Sequence, residues 1–323
     1  MGGDRPGAGT AVRAGRAPAA CLPADPAALL ATVPSLAGAQ RTIEELPGGL
    51  TNRNYKVSTA GGAFVARVWQ ASGELLAIDR ENEYRNSVIA AAAGAGAPVI
   101  EYCPQAGVLV IGYIDGRTLT NADVADPGTI KRIGAACRQL HGGGRFVNDF
   151  DMFAIQARYR QVAAARGIRV PAGYDDLLPR FEAVRDALAA TAGGTVPCNN
   201  DLLAANFIDD GERIYLIDYE YAGNNDPCFE LGNIWAECRL PADGLAELVT
   251  AYYGTPLRSK IARARLLGLA GMYGWTLWGA IQSATSTIDF DFRAWAMERF
   301  DGAAAGLRSA SLAGLLEDVQ RAG

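Results

Sequence analysis

Apolar and polar residues alternate along 41–46, 55–59 and 64–69, and again along 98–102 and 108–114, which is the period of strands that bury one face. Gly48-Gly49 and Gly61-Gly62 punctuate the first group as turns. Between the groups, residues 74–93 carry Leu75, Ile78, Tyr84, Val88 and Ile89 at helical spacing, and a short helix at 26–32 precedes everything. Past Asp115-Gly116 the period changes. Residues 127–140, 154–165 and 175–190 repeat apolar positions every three or four, as helices with one buried stripe do. A break at 195–219 predicts a short strand, a polar loop and a hairpin made of 206–208, the turn Asp209-Asp210-Gly211 and 214–217. Helices then resume to the C-terminus. The pattern is α+β: an antiparallel sheet with one helix over 26–115, then a mainly helical lobe over 116–323.

The chain has 323 residues, half of them hydrophobic, enough to bury the core of a two-lobed unit. Residues 1–25 are rich in Gly, Ala, Pro and Arg, with almost no large apolar side chains to offset the entropy of ordering, so a disordered tail is expected there. A net charge of −5 argues against a nucleic-acid partner held by phosphate neutralisation. No apolar run approaches the about 18 residues that span a bilayer, and no secretory apolar core is present, so the expectation is a cytoplasmic protein without a membrane partner. Cys21, Cys103, Cys137, Cys198, Cys228 and Cys238 lack the paired spacing of a zinc site and read as reduced thiols. Oligomeric state stays open.

The polar loop concentrates the candidate chemistry. In Cys198-Asn199-Asn200-Asp201-Leu202-Leu203-Ala204-Ala205-Asn206 an Asp precedes an Asn with four residues between them, and Asp218 follows twelve residues after the Asn, at the end of the predicted hairpin. Phosphoryl transfer needs a group that orients the incoming hydroxyl, and oxygen ligands that hold magnesium against the phosphates. An Asp on a loop, an Asn at its end and an Asp behind the next hairpin match the ordered set found in kinases. A polar turn between helices would use the same residue types, since Asn and Asp favour turns locally.

Taken with the strands upstream, this segment resembles the choline and ethanolamine kinase family within the aminoglycoside phosphotransferase-like group, a two-lobed protein-kinase-like fold. The resemblance runs from about Leu46 to Phe300. It implies ATP and Mg2+ as cofactors and a small amino alcohol as substrate, choline first and ethanolamine next. Gly48-Gly49-Leu50-Thr51-Asn52 resembles the segment over the nucleotide phosphates, so Gly49, Thr51 and Asn52 would bind the cofactor. Phe64-Val65-Ala66-Arg67-Val68 resembles the strand whose basic residue, Arg67, faces those phosphates, with Glu83 as its partner. Asp201 would be the catalytic base, Asn206 and Asp218 the metal ligands, and Glu220 a neighbour of the second metal or the acceptor. The nucleobase would lie against 110–114.

Tyr273-Gly274-Trp275-Thr276-Leu277-Trp278-Gly279-Ala280-Ile281-Gln282 puts Trp275, Trp278 and Gln282 on one side of a helix, and 288–296 opens another helix rich in aromatics. Tryptophans at helical spacing are commonly core. The resemblance instead makes Trp275, Trp278, Trp295 and Tyr221 a cage for an ammonium group, with Glu237 supplying negative charge; ring faces attract a cation that cannot donate hydrogen bonds. Two positions depart from the family. Asn199 stands where a histidine is usual, which keeps a non-catalytic, nucleotide-binding protein as an alternative. Arg67 replaces the lysine of protein kinases while still offering a fixed charge and a bidentate fork. An aminoglycoside acceptor is the other alternative, and it would call for an acidic rather than an aromatic pocket.

Overall fold

The computed structural model describes residues 25–38, 40–69 and 75–321. The first helix, α1 (Pro26–Leu30), is capped by Asp25 and leads into a sheet made of β1 (Arg41–Leu46), β2 (Asn52–Thr59), β3 (Gly62–Trp69), β4 (Val99–Cys103) and β5 (Val108–Gly112). Its order is β1-β2-β3-β5-β4, antiparallel throughout. Alternation sorts the faces. Tyr55, Val57, Ala66, Val68, Val108 and Val110 pack under Leu29, Leu30, Val33 and Leu36 on the outer face. Arg67, paired in register with Leu109, therefore points to the opposite face, where α2 (Arg80–Ala92) lies.

The helix expected over 74–93 is shorter. Asp79 accepts the backbone N–H groups of Glu81 and Asn82 as an N-cap, and Ala77 is left-handed (φ 59°), so the segment before Arg80 cannot continue a helix. Gln70 to Glu74, and the expected tail up to Ala24, lie outside the described residues. The strand expected over 55–59 begins three residues earlier, at Asn52: the polar run Asn52-Arg53-Asn54 hides the alternation because its inward side faces a polar cleft.

The second lobe begins with a two-residue strand, β6 (Arg117–Thr118), and α3 (Asn121–Val124), neither of which the pattern reveals. Then come α4 (Pro127–His141), α5 (Met152–Arg166), α6 (Leu178–Ala190), β7 (Val196–Cys198), β8 (Phe207–Asp209), β9 (Ile214–Leu216) and β10 (Gly223–Asn225). β6, β8 and β9 form one small sheet; β7 pairs with β10 in another. The remaining helices are α7 (Pro227–Glu237), α8 (Ala242–Tyr253), α9 (Arg258–Thr285), α10 (Phe292–Arg308) and α11 (Leu312–Asp318). Capping aspartates start several of them: Asp126 for α4, Asp151 for α5, Asp226 for α7 and Asp291 for α10. Asp291 places the start of α10 four residues later than the 288–296 pattern suggests.

The 28-residue α9 is the axis of this lobe, packing against α5, α6, α7, α8, α10 and α11. It is buried all round over its middle, as a central helix must be. Where α7 crosses it, backbone meets backbone: a Cβ on Gly268 would lie 2.6 Å from the Gly232 carbonyl oxygen and 2.8 Å from the Trp235 ring. Cys103, Cys137, Cys198, Cys228 and Cys238 are free thiols, and no helix among the described residues is long and apolar enough to cross a membrane. Because α7 and α9 cross without room for a methyl group, Gly268→Ala is expected to lower the denaturant midpoint. Its gain of about 1 kcal/mol in helix propensity is outweighed by an overpacking cost of about 1–3 kcal/mol or more; an unchanged or higher midpoint would refute the tight crossing.

Candidate active site

Between β7 and β8 the chain runs through a loop and a single 3-10 turn, Ala204–Asn206. Buried Glu230, from α7, anchors the loop's start: its two carboxylate oxygens accept the backbone N–H groups of Asn199 and Asn200, both at 2.8 Å. The sequence signal for this anchor is a carboxylate inside the apolar run of α7, and it was missed. Asn200 (φ 68°) and Asp218 (φ 64°) both sit in the left-handed region, a costly conformation for a non-glycine residue that clusters at functional sites.

Asn199 links the two chemical segments. Its Nδ2 donates to the carbonyl oxygens of Ile217 (3.1 Å) and Asp218 (3.0 Å), while its Oδ1 accepts the Asp201 N–H at 3.1 Å. An amide can donate and accept at once, so Asn supplies the bracing that the usual histidine's absence put in question. Asn206 donates from Nδ2 to the Asp201 carbonyl at 2.7 Å. The Asn206 carbonyl in turn receives the Ile217 N–H, joining loop to hairpin.

Asp201, Asn206 and Asp218 line one cavity of about 460 Å³ with Gly49, Thr51, Glu220, Tyr221, Glu237, Trp275, Trp278 and Trp295. Of the residues singled out in the sequence, Asn52, Arg67 and Glu83 stand behind this lining rather than in it. Arg67 bonds Glu83 (Nε to Oε1, 3.2 Å) and also Asp218 (Nη2 to Oδ1, 2.5 Å), spanning helix α2 and the segment after β9. Burial opposes its charge, yet Asp218 and Glu83 outweigh burial and hold the guanidinium pKa above its usual value. Arg80, which the sequence reading passed over, bonds Glu83 at 2.6 Å and approaches Glu220 at 3.3 Å.

Glu220 is a junction of the two lobes. Thr51 donates its hydroxyl to both carboxylate oxygens (2.9 and 2.7 Å), and Asn52 Nδ2 donates to one at 3.1 Å. Burial, then the charge of Asp218, pushes its pKa up to about 7, against the pull of Arg80. Asp201 is pushed well above the usual carboxylate range, first by burial and then by the charges of Glu237, Asp218 and Glu220, with Arg299 opposing.

The aromatic wall has a content that the sequence did not disclose. Trp278 Nε1 donates to the Tyr221 hydroxyl at 2.7 Å, and Tyr221 meets Trp275 edge-on with centroids 4.9 Å apart. Glu237 is not a free charge: Arg299 Nη2 bonds it at 2.5 Å and lies 4.3 Å from the Trp295 ring centroid. Arg239 pairs with Glu298 at the same cavity. Arg299 could have been suspected, since it lies one helical turn beyond Trp295. Toward the expected nucleobase position, Leu109 and Ile111 line a second cavity of only about 20 Å³, whereas Val110 faces the outer core.

The oxygen donors that Asn206 and Asp218 bring to one cavity fit magnesium, a hard cation that prefers carboxylate and amide oxygens. The sequence matches the phosphotransferase enzyme family over residues 42–267. The chain is similar to a choline/ethanolamine kinase family protein of Mesorhizobium loti, with 35% identity, a TM-score of 0.80 and coverage of 91% of this chain and 97% of the other. It is similar to ethanolamine kinase 2 of Rattus norvegicus, 29% identical over 78% of this chain and 73% of the relative. The choline kinase LicA of Streptococcus pneumoniae shares the fold, at 24% identity and a TM-score of 0.72 over 84% and 95%.

Two outcomes follow from this geometry. Asn199→Leu leaves the Asp201 N–H and two carbonyls without partners, at about 1–3 kcal/mol for each buried group; a lowered unfolding midpoint and a turnover loss of tenfold or more are expected, and wild-type turnover would deny the bracing role. For Glu220 the folded pKa of about 7 exceeds the ordinary 4.5, so the folded state retains a proton that the unfolded state loses. Without metal or nucleotide, the Glu220 contribution to stability should therefore be fully present below about pH 4.5 and be lost as pH rises through 7, with Glu220→Gln removing that component of the slope in a thermal-unfolding series.

Proposed function

Because the chain belongs to the phosphotransferase enzyme family and, within it, to the choline/ethanolamine kinase family, we propose that it moves the γ-phosphate of ATP to the hydroxyl of a small amino alcohol, choline first and ethanolamine next. Residues 26–115 hold the nucleotide, and 116–323 hold the acceptor. The observation that carries this reading is that Asp201, Asn206 and Asp218 share one cavity with Tyr221 and three tryptophans. The bracing of Asp201 and Asp218 by Asn199 supports a catalytic protein over a merely nucleotide-binding one.

Asp201 orients the acceptor hydroxyl in line with the γ-phosphate and takes its proton as the new bond forms. Burial and then the neighbouring carboxylates raise its pKa; a cationic acceptor beside it favours the carboxylate form, so acceptor binding readies the base. Magnesium, when bound, would be held by Asn206 and Asp218 and would supply charge against the phosphates. Arg67, kept ionised between Glu83 and Asp218, adds a fixed positive charge on the donor side. Trp275, Trp278, Trp295 and Tyr221 enclose the ammonium end, where each desolvated ring contact contributes about 0.5–2 kcal/mol. Ethanolamine is the second reading: Glu237 and Glu298 in the same wall are each paired with an arginine, but a carboxylate accepts more than one hydrogen bond, and a primary ammonium seeks such acceptors rather than ring faces.

Magnesium-dependent ATP consumption, measured with choline, ethanolamine and an aminoglycoside, tests the reading. Choline or ethanolamine should stimulate it by at least tenfold, and Asp201→Ala should remove that stimulation by orders of magnitude with the fold intact. Trp278→Ala should raise KM for choline more than KM for ATP. Stimulation by the aminoglycoside alone would overturn the acceptor, and near-normal turnover of Asp201→Ala would overturn the base.

A further inference from the structure

Gln282 is the polar side chain on α9 that neither the packing nor the proposed chemistry has used. It is 1% exposed, one helical turn beyond Trp278, at the end of the buried run of the helix. Its Nε2 donates to the backbone carbonyl of Leu50 at 2.9 Å, a contact between residues 232 positions apart. Its Oε1 is buried with no hydrogen-bond partner. A buried amide oxygen left unpaired costs about 1–3 kcal/mol, which a methionine or leucine here would avoid. Only the N–H side of the amide can meet a carbonyl, so the Leu50 contact fixes which way the group points.

Leu50 follows the two glycines of the turn at 48–52. Gly48 (φ 89°) and Gly49 (φ 92°) hold conformations that disfavour side chains, and a Cβ on Gly49 would lie 2.5 Å from the Asn52 carbonyl oxygen. A turn of this kind has little stiffness of its own. It is pinned at two points by the opposite lobe: Thr51 and Asn52 bond Glu220, and Leu50 bonds Gln282. The first anchor belongs to the catalytic hairpin. The second belongs to the helix that carries the acceptor tryptophans.

We propose that Gln282 is a positioning residue for the phosphoryl donor: its hydrogen bond to the Leu50 carbonyl holds the glycine turn down over the site and ties that closure to the acceptor helix. This rests on reading the cavity as an ATP-dependent phosphotransferase site. Transfer needs donor and acceptor held within reacting distance, and a turn that lifts loses the donor side of that geometry. By placing the anchor on α9, the fold makes one rigid element responsible for both partners.

Hydrogen exchange of the amides at 48–52 and direct binding of magnesium ATP, on the full chain, test this with Gln282→Met and Gln282→Glu. Gln282→Met keeps the volume and removes the donor. It should speed exchange of the turn by roughly fivefold to tenfold and weaken ATP binding by a similar factor, with an unfolding midpoint no lower than wild type. Gln282→Glu is nearly isosteric and keeps the test in hand if the first variant does not fold. At pH 6 its buried, protonated carboxyl donates again and should restore wild-type exchange at that pH; at pH 8 it should not. Unchanged exchange and ATP affinity in Gln282→Met, or a Gln282→Glu variant whose turn exchanges faster than wild type at pH 6, would overturn the proposal. These readouts involve no acceptor, so a wild type that binds ATP and protects the turn but phosphorylates no amino alcohol would sink the acceptor reading alone. A wild type that does not bind ATP overturns both.

Discussion

A single buried guanidinium holds the working parts of this molecule in relation to one another. Arg67 lies on the inward face of the sheet, 6% exposed, and reaches both Glu83 of α2 and Asp218 beyond β9. Removing it would strand Asp218 and leave Glu83 to Arg80 alone, and an ion left without its buried partner costs far more than the pair's net worth when intact. The left-handed backbone of Asp218, the bracing by Asn199 and the approach of the two lobes all presuppose that this charge is met.

The same accounting of charge organises the cavity. Glu220 faces Arg80, Glu237 faces Arg299, and Glu298 faces Arg239. Asp201, which lines the same cavity, has no such ion pair among the described residues. An acidic cavity whose other carboxylates are already answered by arginines can concentrate its unmet demand for positive charge at one position. The aromatic wall is built around the same pairs, since Arg299 lies over Trp295 while bonding Glu237.

How much of this could be read from the chain depends on how far apart the partners are in sequence. Asp201, Asn206 and Asp218 fall within eighteen positions of one another, on a loop and hairpin whose turn residues announce themselves, and the alternation in the first lobe gave its five strands along the chain, though not their order in the sheet. Glu230 and Arg299 left only faint signals, a carboxylate inside an apolar run and a cation one turn past a tryptophan: their partners come from other elements, and a charged residue on a helix looks solvated until the neighbouring element is in place. Gln282 was visible on the face shared with Trp275 and Trp278, but its bond to a backbone carbonyl 232 residues away has no local signature. Helix starts were misjudged where a capping aspartate, Asp79 or Asp291, fell inside an apolar pattern that ran past it.

The crossing of α7 and α9 at Gly232 and Gly268 has a consequence for how this scaffold could change its guest. Glu237 rides on one of these helices and the paired indoles on the other, so the width between the acidic and aromatic walls is set by main-chain contact rather than by any side chain that mutation could trim. Divergence toward bulkier alcohols would therefore have to come from the lining itself, by exchanging rings or arginines, because the frame behind them has no slack to give.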